Sequence, residues 1–340
     1  MITTKICDML EIKHPIIQAG MGPFSTTNLA KAVSNAGALG LISHSGGPLM
    51  PGYSGKSTWD IMVDSLKEVT EQTNFPFGVN VRVAKEERDA PKMIETICEV
   101  VKSDSDIEKK LRVVITSAGN PGPPNKKLKA AGLLHFHVSP SVYHAKKSEN
   151  AGCDAVVASG YEAGGHLALD PVHTFVLIPE VVKAVNIPVI AAGGMCDGAS
   201  LAAVLAFGAE GVQMGTRFIA TKDSDFKDNY KESFLNGTET DTEVLPGFFS
   251  PHCRYIKNEW TVDLQKMMEG GKSEARLLQH KVSGRTLAAE KGDGVHGSLL
   301  CGMVVGRVKS ILSVKEIIDQ TISEAEGIIN RLPKKIKRYN

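Results

Sequence analysis

The stretch ASGYEAGGHLALD, residues 158–170, sets one imidazole directly after two glycines at the end of an apolar run. An imidazole titrates near neutrality, so His166 can serve as a general acid or base. Gly164 and Gly165 carry no Cβ and leave room for a bound molecule beside that ring. A loop histidine bonded to a nearby carbonyl is the plainer reading of any single His; the paired glycines favour the catalytic one. Two more glycine signals follow, Gly193–Gly194 in PVIAAGG and Gly215–Thr216 in GVQMGTRF. Bare backbone N–H groups close on an anion and a threonine hydroxyl adds a donor, which is phosphate chemistry. A planar ring carried by that phosphate would find small neighbours and a polarizable surface at Gly20, Met21 and Gly22. The amides of Asn80 and Gln213 could bond the edge of such a ring. For Asn80, a partner in the local backbone is an equal alternative.

These residues need elements to carry them. Apolar runs recur at 15–20, 39–44, 77–82, 112–117, 133–138, 155–160, 188–193 and 211–216. They are rich in Val and Ile and bounded by Gly or Pro, as strands covered on both faces should be. Helical patterns fill the gaps, among them NLAKAVSNAG at 28–37, with Gly37 as its stop signal. Eight strands alternating with helices predict an α/β chain folded as a (β/α)8 TIM barrel. A doubly wound open sheet is the rival; the eight units and the lack of an early GxGxxG count against it. After the eighth run the pattern changes. The expectation is a barrel from 1–225 and 301–340, with a smaller helical lid inserted as 226–300 over its mouth. An amphipathic helix over 313–331 ends the chain, followed by the solvated basic tail PKKIKRYN. In a barrel the candidate residues all fall at strand ends, where such enzymes keep their sites.

Composition narrows the partners. With 39 basic and 38 acidic side chains the net charge is +1, which argues against nucleic acid or a membrane surface. No apolar run reaches the ~18 residues of a spanning helix, and MITTKICDMLEIKHP lacks the apolar core of a secretory signal. A cytoplasmic chain is expected, with a small-molecule substrate and a homodimer as the oligomer to test. The six cysteines form no CxxC pair and read as reduced, buried thiols. His135 and His137 share a strand face without a third ligand, so packing inside the barrel is favoured over metal, and no metal site is expected.

The blocks QAGMG, GVNV, TSAGNPG, DAVVASGYEAGGH, PVIAAGG and GVQMGTRF occur in the order found in the nitronate monooxygenase (2-nitropropane dioxygenase-like) flavoproteins. The chain resembles that family from about residue 4 to 312. The family includes NAD(P)H:quinone reductases and FMN-containing enoyl-acyl-carrier-protein reductases. The resemblance implies FMN, with its phosphate held by Gly193, Gly194, Gly215 and Thr216. Gly20, Met21, Gly22, Asn80, Gln213, Met214, Gly164 and Gly165 would be near the cofactor and His166 would be the acid/base at its face. Ser159 is grouped with the flavin contacts, although many monooxygenase relatives carry Gln there. CGMVVG at 301–306 and TSAGNPG resemble the quinone-reductase branch. The implied activity is oxidation of alkyl nitronates to a carbonyl compound plus nitrite. The alternative is a reductase that uses NADH or NADPH on a quinone or an enoyl thioester at the same FMN site. A non-redox barrel binding a phosphorylated metabolite is the reading from another class. It would need a Lys or paired carboxylates at the strand ends, and those ends offer little beyond Glu162.

Overall fold

A computed structural model describes residues 2–22, 24–44, 55–247 and 251–335. All eight predicted runs form strands: β1 (Ile16–Gln18), β2 (Gly40–Ser43), β3 (Phe77–Val83), β4 (Leu111–Gly119), β5 (Leu134–Ser139), β6 (Ala155–Ser159), β8 (Val189–Ala192) and β9 (Gly211–Met214). Between β6 and β8 lies a two-residue strand, β7 (Gly165–His166), which belongs to a different sheet. Among the described residues the main sheet runs β1-β9-β8-β6-β5-β4-β3-β2, every pair parallel. A parallel bridge between Ile17 and Leu39 joins its two ends, so the barrel closes. Closure removes the exposed strand edges that an open sheet would leave.

Strand alternation sorts the side chains. Ile17, Leu41, Val113, Ile115, Phe136, Val157 and Ile190 fill the barrel interior. Their neighbours Val156, Ala158, Val189, Ala191, Val212 and Met214 point outward and pack beneath the surrounding helices. The helix Lys5–Leu10, not foreseen from the sequence, plugs the barrel with Ile6 and Leu10.

The helices end where the sequence said they should. Thr27–Asn35 stops before Gly37, whose φ is 85°. The Gly37 N–H donates to the Ser34 carbonyl (2.9 Å) and the Ala38 N–H to Val33 (3.2 Å), a Schellman closure. Capping boxes start Thr58–Gln72, Gly198–Ala206 and Val314–Arg331. The last of these buries Val314, Ile317, Ile318, Thr321, Ile322 and Ala325 along one stripe, confirming the amphipathic reading of 313–331. Of the basic tail, Pro333–Lys335 is exposed, and 336–340 lie outside the described residues.

Two expectations need correction. The segment 226–300 is not only helical. Besides Asp228–Glu232, Glu259–Glu269 and Glu274–Lys291 it contributes β10 (Thr242–Leu245) and β11 (Cys253–Ile256). Strands β10, β11 and β7 pair antiparallel, so this segment carries the strand that holds His166. Likewise His135 and His137 do not point into the barrel. Phe136 faces the interior, and the period of two turns both histidines outward. There the Thr116 hydroxyl lies 2.7 Å from His135 Nε2 and from His137 Nδ1, and His135 Nδ1 reaches Asn125 Oδ1 at 2.8 Å.

Loss of hydration lowers the pKa of His135 to about 4; for His137 the same effect, then the neighbouring His135, lowers it to about 3. Both rings are neutral in the fold, while in the unfolded chain they take up protons near their ordinary value. The unfolded state therefore binds more protons below about pH 6.5, and stability falls with pH by about 1.4 kcal/mol per unit for each ring until the folded values are reached. Urea unfolding between pH 7 and 4.5 should show this slope, and His135→Gln should flatten it. Equal slopes in the two proteins would contradict the assignment.

Candidate active site

The carboxyl ends of the strands converge on a cavity of ≈ 220 Å³. Alternation decides which residues reach it. Asn80 on β3, Ser159 on β6, Ala192 on β8 and Gln213 on β9 lie on the interior face at the tops of their strands, and all line the cavity. Gly20, Met21, Gly22, Gly164, Gly165, Gly193, Gly194, Gly215, Thr216 and His166 complete the predicted set around it. Met214 does not join them. It is one position out of phase with Gln213, so its side chain is fully buried under the helices and only its carbonyl is used, accepting the Ala19 N–H at 2.8 Å.

The loops after β8 and β9 form the glycine-lined end of the cavity. Gly193 and Gly194 have φ of 78° and 80°, a conformation that side chains resist, and a Cβ on Gly193 would sit 2.5 Å from the Gly160 carbonyl oxygen. The Thr216 hydroxyl accepts the Gly302 N–H (2.8 Å), which leaves its own proton to donate. Opposite, Asn80 has the local backbone partner that one of its two readings expects. Its amide nitrogen donates to the Ile115 carbonyl (3.0 Å), while the group packs so tightly on Gly20 that a Cβ there would lie 2.3 Å from Asn80 Oδ1. Gln213 is 7% exposed, and among the described residues its amide has no hydrogen-bond partner. Lining the cavity, that amide is placed to bond a molecule held there.

Glu162, the acidic residue of the motif turn, is spoken for. Its carboxylate accepts the Thr174 N–H (3.1 and 3.0 Å) and the Thr174 hydroxyl (2.8 Å). Cys153 and Cys196 are buried, and loss of hydration pushes both thiols up to about 12, so neither is a nucleophile at neutral pH.

His166 stands where this cavity opens into a second cleft of ≈ 860 Å³. Its backbone pairs with Cys253, and its ring has no hydrogen-bond partner among the described residues. Burial in the cleft, then the positive charges of Arg82, Lys281 and Arg285, lower its pKa to about 4. The ring remains open to solvent through the cleft mouth. That exposure weakens the lowering without reversing it, and the ring is neutral at pH 7.

Sequence reasoning missed the residues that fix the loop carrying this ring. Arg254 on β11 is 5% exposed. Its Nε donates to the Ala163 carbonyl (3.1 Å), one terminal nitrogen to Tyr161 (2.9 Å) and the other to Thr242 Oγ1 (3.0 Å). The guanidinium also lies over the Tyr161 ring, 5.3 Å from its centroid. Above the cavity Phe24, Phe226, Tyr230 and Phe234 pack in a row, tilted and then edge to face, with centroids 4.8, 5.2 and 5.5 Å apart, and join the loop after β1 to the inserted segment. Nothing in the local sequence around Arg254 marks it; only the β7–β11 pairing brings it to the loop.

Comparison with known proteins agrees with the motifs. The profile of the nitronate monooxygenase family matches residues 3–324. A probable nitronate monooxygenase of Staphylococcus aureus is 33% identical, covering 85% of this chain and 88% of its own. A Rhodococcus jostii protein is 31% identical over 97% of this chain and 98% of its own. It is named (3aS,4S,5R,7aS)-5-hydroxy-7a-methyl-1-oxo-octahydro-1H-indene-4-carboxyl-CoA dehydrogenase. The structure of FabK from Thermotoga maritima superposes with a TM-score of 0.87 and 35% identity, covering 99% of this chain and 100% of that one.

The cavity suits the flavin of this family: a glycine-walled anion end, small residues along one side, and an unpaired amide at the far edge. Gln213→Leu tests that fit. Removing an amide that no described residue bonds should leave the melting temperature of the flavin-free chain unchanged or higher. It should also raise the dissociation constant for FMN about tenfold, measured by fluorescence quenching. Gly194→Asp should abolish FMN binding through backbone strain and charge repulsion. FMN affinity unchanged in both variants would contradict this placement.

Proposed function

The chain belongs to the nitronate monooxygenase family and is an FMN-dependent oxidoreductase; we propose that its substrate is an acyl thioester whose carbonyl oxygen lies against His166. The observation that carries this reading is the ≈ 860 Å³ cleft that begins at His166. Val138, Pro140, Leu167, Leu169, Val172 and Pro251 give it apolar walls. A small alkyl nitronate would fill a minor part of that space, whereas ligand pockets are shaped to bury most of their ligand. The name of the Rhodococcus relative, a carboxyl-CoA dehydrogenase matched end to end, supports the same class.

In this reading Gly193, Gly194, Gly215 and Thr216 would hold the FMN phosphate, and Gly20–Gly22, Gln213 and Asn80 would contact its ring. When bound, FMN supplies a two-electron donor and acceptor. The protein's task is to manage charge on the substrate. A neutral imidazole is a poor proton reservoir at pH 7 but a good hydrogen-bond donor, so His166 orients the thioester carbonyl and steadies negative charge that develops on its oxygen. Arg82, Lys281 and Arg285 lie in the same field. Lys281 and Arg285 are one turn apart on the helix Glu274–Lys291, so both face the cleft side. Lys281 donates to the Pro246 carbonyl (3.0 Å), itself on the cleft wall. NADH or NADPH is the proposed second co-substrate, taken into the same open cleft.

Nitronate oxidation is the second reading. It is favoured by the Staphylococcus aureus relative and by the positive charges of Lys281 and Arg285, which would attract an anionic nitronate as readily as an enolate. Anaerobic stopped-flow mixing separates the two. On the thioester reading NADH or NADPH bleaches the flavin, and crotonyl-CoA restores its colour. Bleaching by propionate 3-nitronate, with no response to nicotinamide or thioester, would overturn it in favour of nitronate chemistry.

His166→Ala should retain FMN and lose roughly 10²–10³ in kcat, the scale of one lost oxyanion donor. In the wild type the ring stays a neutral donor from pH 7 down to about 5, so kcat should show no histidine titration across that range. Unchanged turnover in the variant would remove His166 from the mechanism.

A further inference from the structure

We propose that a third cleft, of ≈ 680 Å³ between the loops that follow β3 and β4, binds the adenosine diphosphate portion of a co-substrate whose reacting end reaches His166. This rests on the preceding reading that the co-substrate is a long nucleotide-bearing molecule. The walls are apolar and face each other: Val83, Ala84, Pro91 and Ile94 from one loop and its helix, Pro123 and Pro124 from the other. Such a slot accepts the flat face of a purine. The rim is basic. Lys85, Arg88 and Lys147 line the cleft, and among the described residues none has an acidic partner. The other charged groups there are already paired: Lys127 with Glu95 at 3.1 Å, and Glu87 with Arg82 at 2.6 Å. Three unneutralised cations beside an apolar slot match a base joined to a diphosphate, with the phosphates held at the rim.

Position supports the match. Gly119 lines this cleft and the one beside His166, and Ser117 lines that cleft and the inner cavity. One short stretch at the end of β4, Ser117–Ala118–Gly119, therefore walls a continuous path from the cofactor cavity to the basic rim. The stretch is held in an uncommon shape. Ala118 and Gly119 have φ of 56° and 69° in succession, and a Cβ on Gly119 would lie 2.1 Å from the Val83 carbonyl oxygen, so the two loops are locked together. A left-handed alanine is strain that ordinary loops avoid, and it is found where a binding surface is held in advance.

Coenzyme A and the nicotinamide dinucleotides both carry adenosine diphosphate, so ADP itself is the probe. Calorimetric titration of ADP into the FMN-loaded chain should show binding that weakens as ionic strength rises. Lys85→Ala/Arg88→Ala/Lys147→Ala should weaken it at least tenfold while flavin content stays unchanged; the charge reversal Lys85→Glu/Arg88→Glu should weaken it further. The inhibition pattern identifies the source. ADP competing with NADH or NADPH alone assigns the cleft to the dinucleotide, and competition with the CoA thioester alone assigns it to coenzyme A. A yellow, active protein that ignores ADP, or binds it equally well in both variants, overturns the cleft assignment and leaves the flavin site standing. A protein that takes up no flavin overturns the underlying reading, and its ADP titration still decides the cleft.

Discussion

Alternation along the barrel strands is the constraint from which the site follows. Each strand shows every second side chain to the interior, and only the topmost interior residue reaches the cavity. That places Asn80, Ser159, Ala192 and Gln213 around one opening although they are far apart in sequence. The same rule sends Met214, His135 and His137 into the layer beneath the helices, where one serves as packing and the other two as a neutral hydrogen-bonded cluster. Closing the sheet through Ile17 and Leu39 fixes these phases relative to each other.

A barrel alone would leave His166 on a loose loop. The inserted segment removes that freedom by turning Gly165–His166 into a strand paired with Cys253 and Arg254. Arg254 is buried and charged, and it satisfies that charge with the carbonyls of Tyr161 and Ala163, groups that would otherwise face the same interior. The Met303 N–H closes the other side by donating to the Glu162 carbonyl at 3.0 Å. One loop thus has partners before it, behind it and above it. What is held is the backbone, and it fixes where the imidazole enters the cleft.

Much of this was legible in the sequence. Short Val- and Ile-rich runs with glycine ends gave eight strands, because parallel barrel strands are covered on both faces and carry a continuous apolar signal. The glycine pairs, the threonine and His166 could be read as a site because missing side chains are themselves a signal. What stayed hidden depends on pairing at long range. The two short strands of the insert, β10 and β11, carry mixed residues such as Thr242, Glu243, Arg254 and Tyr255, whose pattern says strand only once β7 is beside them. Continuous apolar runs also hide phase, which is why Met214 was grouped with Gln213 and the β5 histidines were turned inward. The short helix Lys5–Leu10 escaped because its two plugging residues, Ile6 and Leu10, give too brief a pattern to read.

The central claim is that the opening between β8, β9 and the loop after β1 is a flavin site. The visible absorption spectrum of the purified chain tests it most directly, before any assay is chosen. A flavin there makes the protein yellow, with flavin bands in the blue, and denaturation releases FMN at one equivalent per chain. A colourless protein whose spectrum and stability do not respond to added FMN would contradict it.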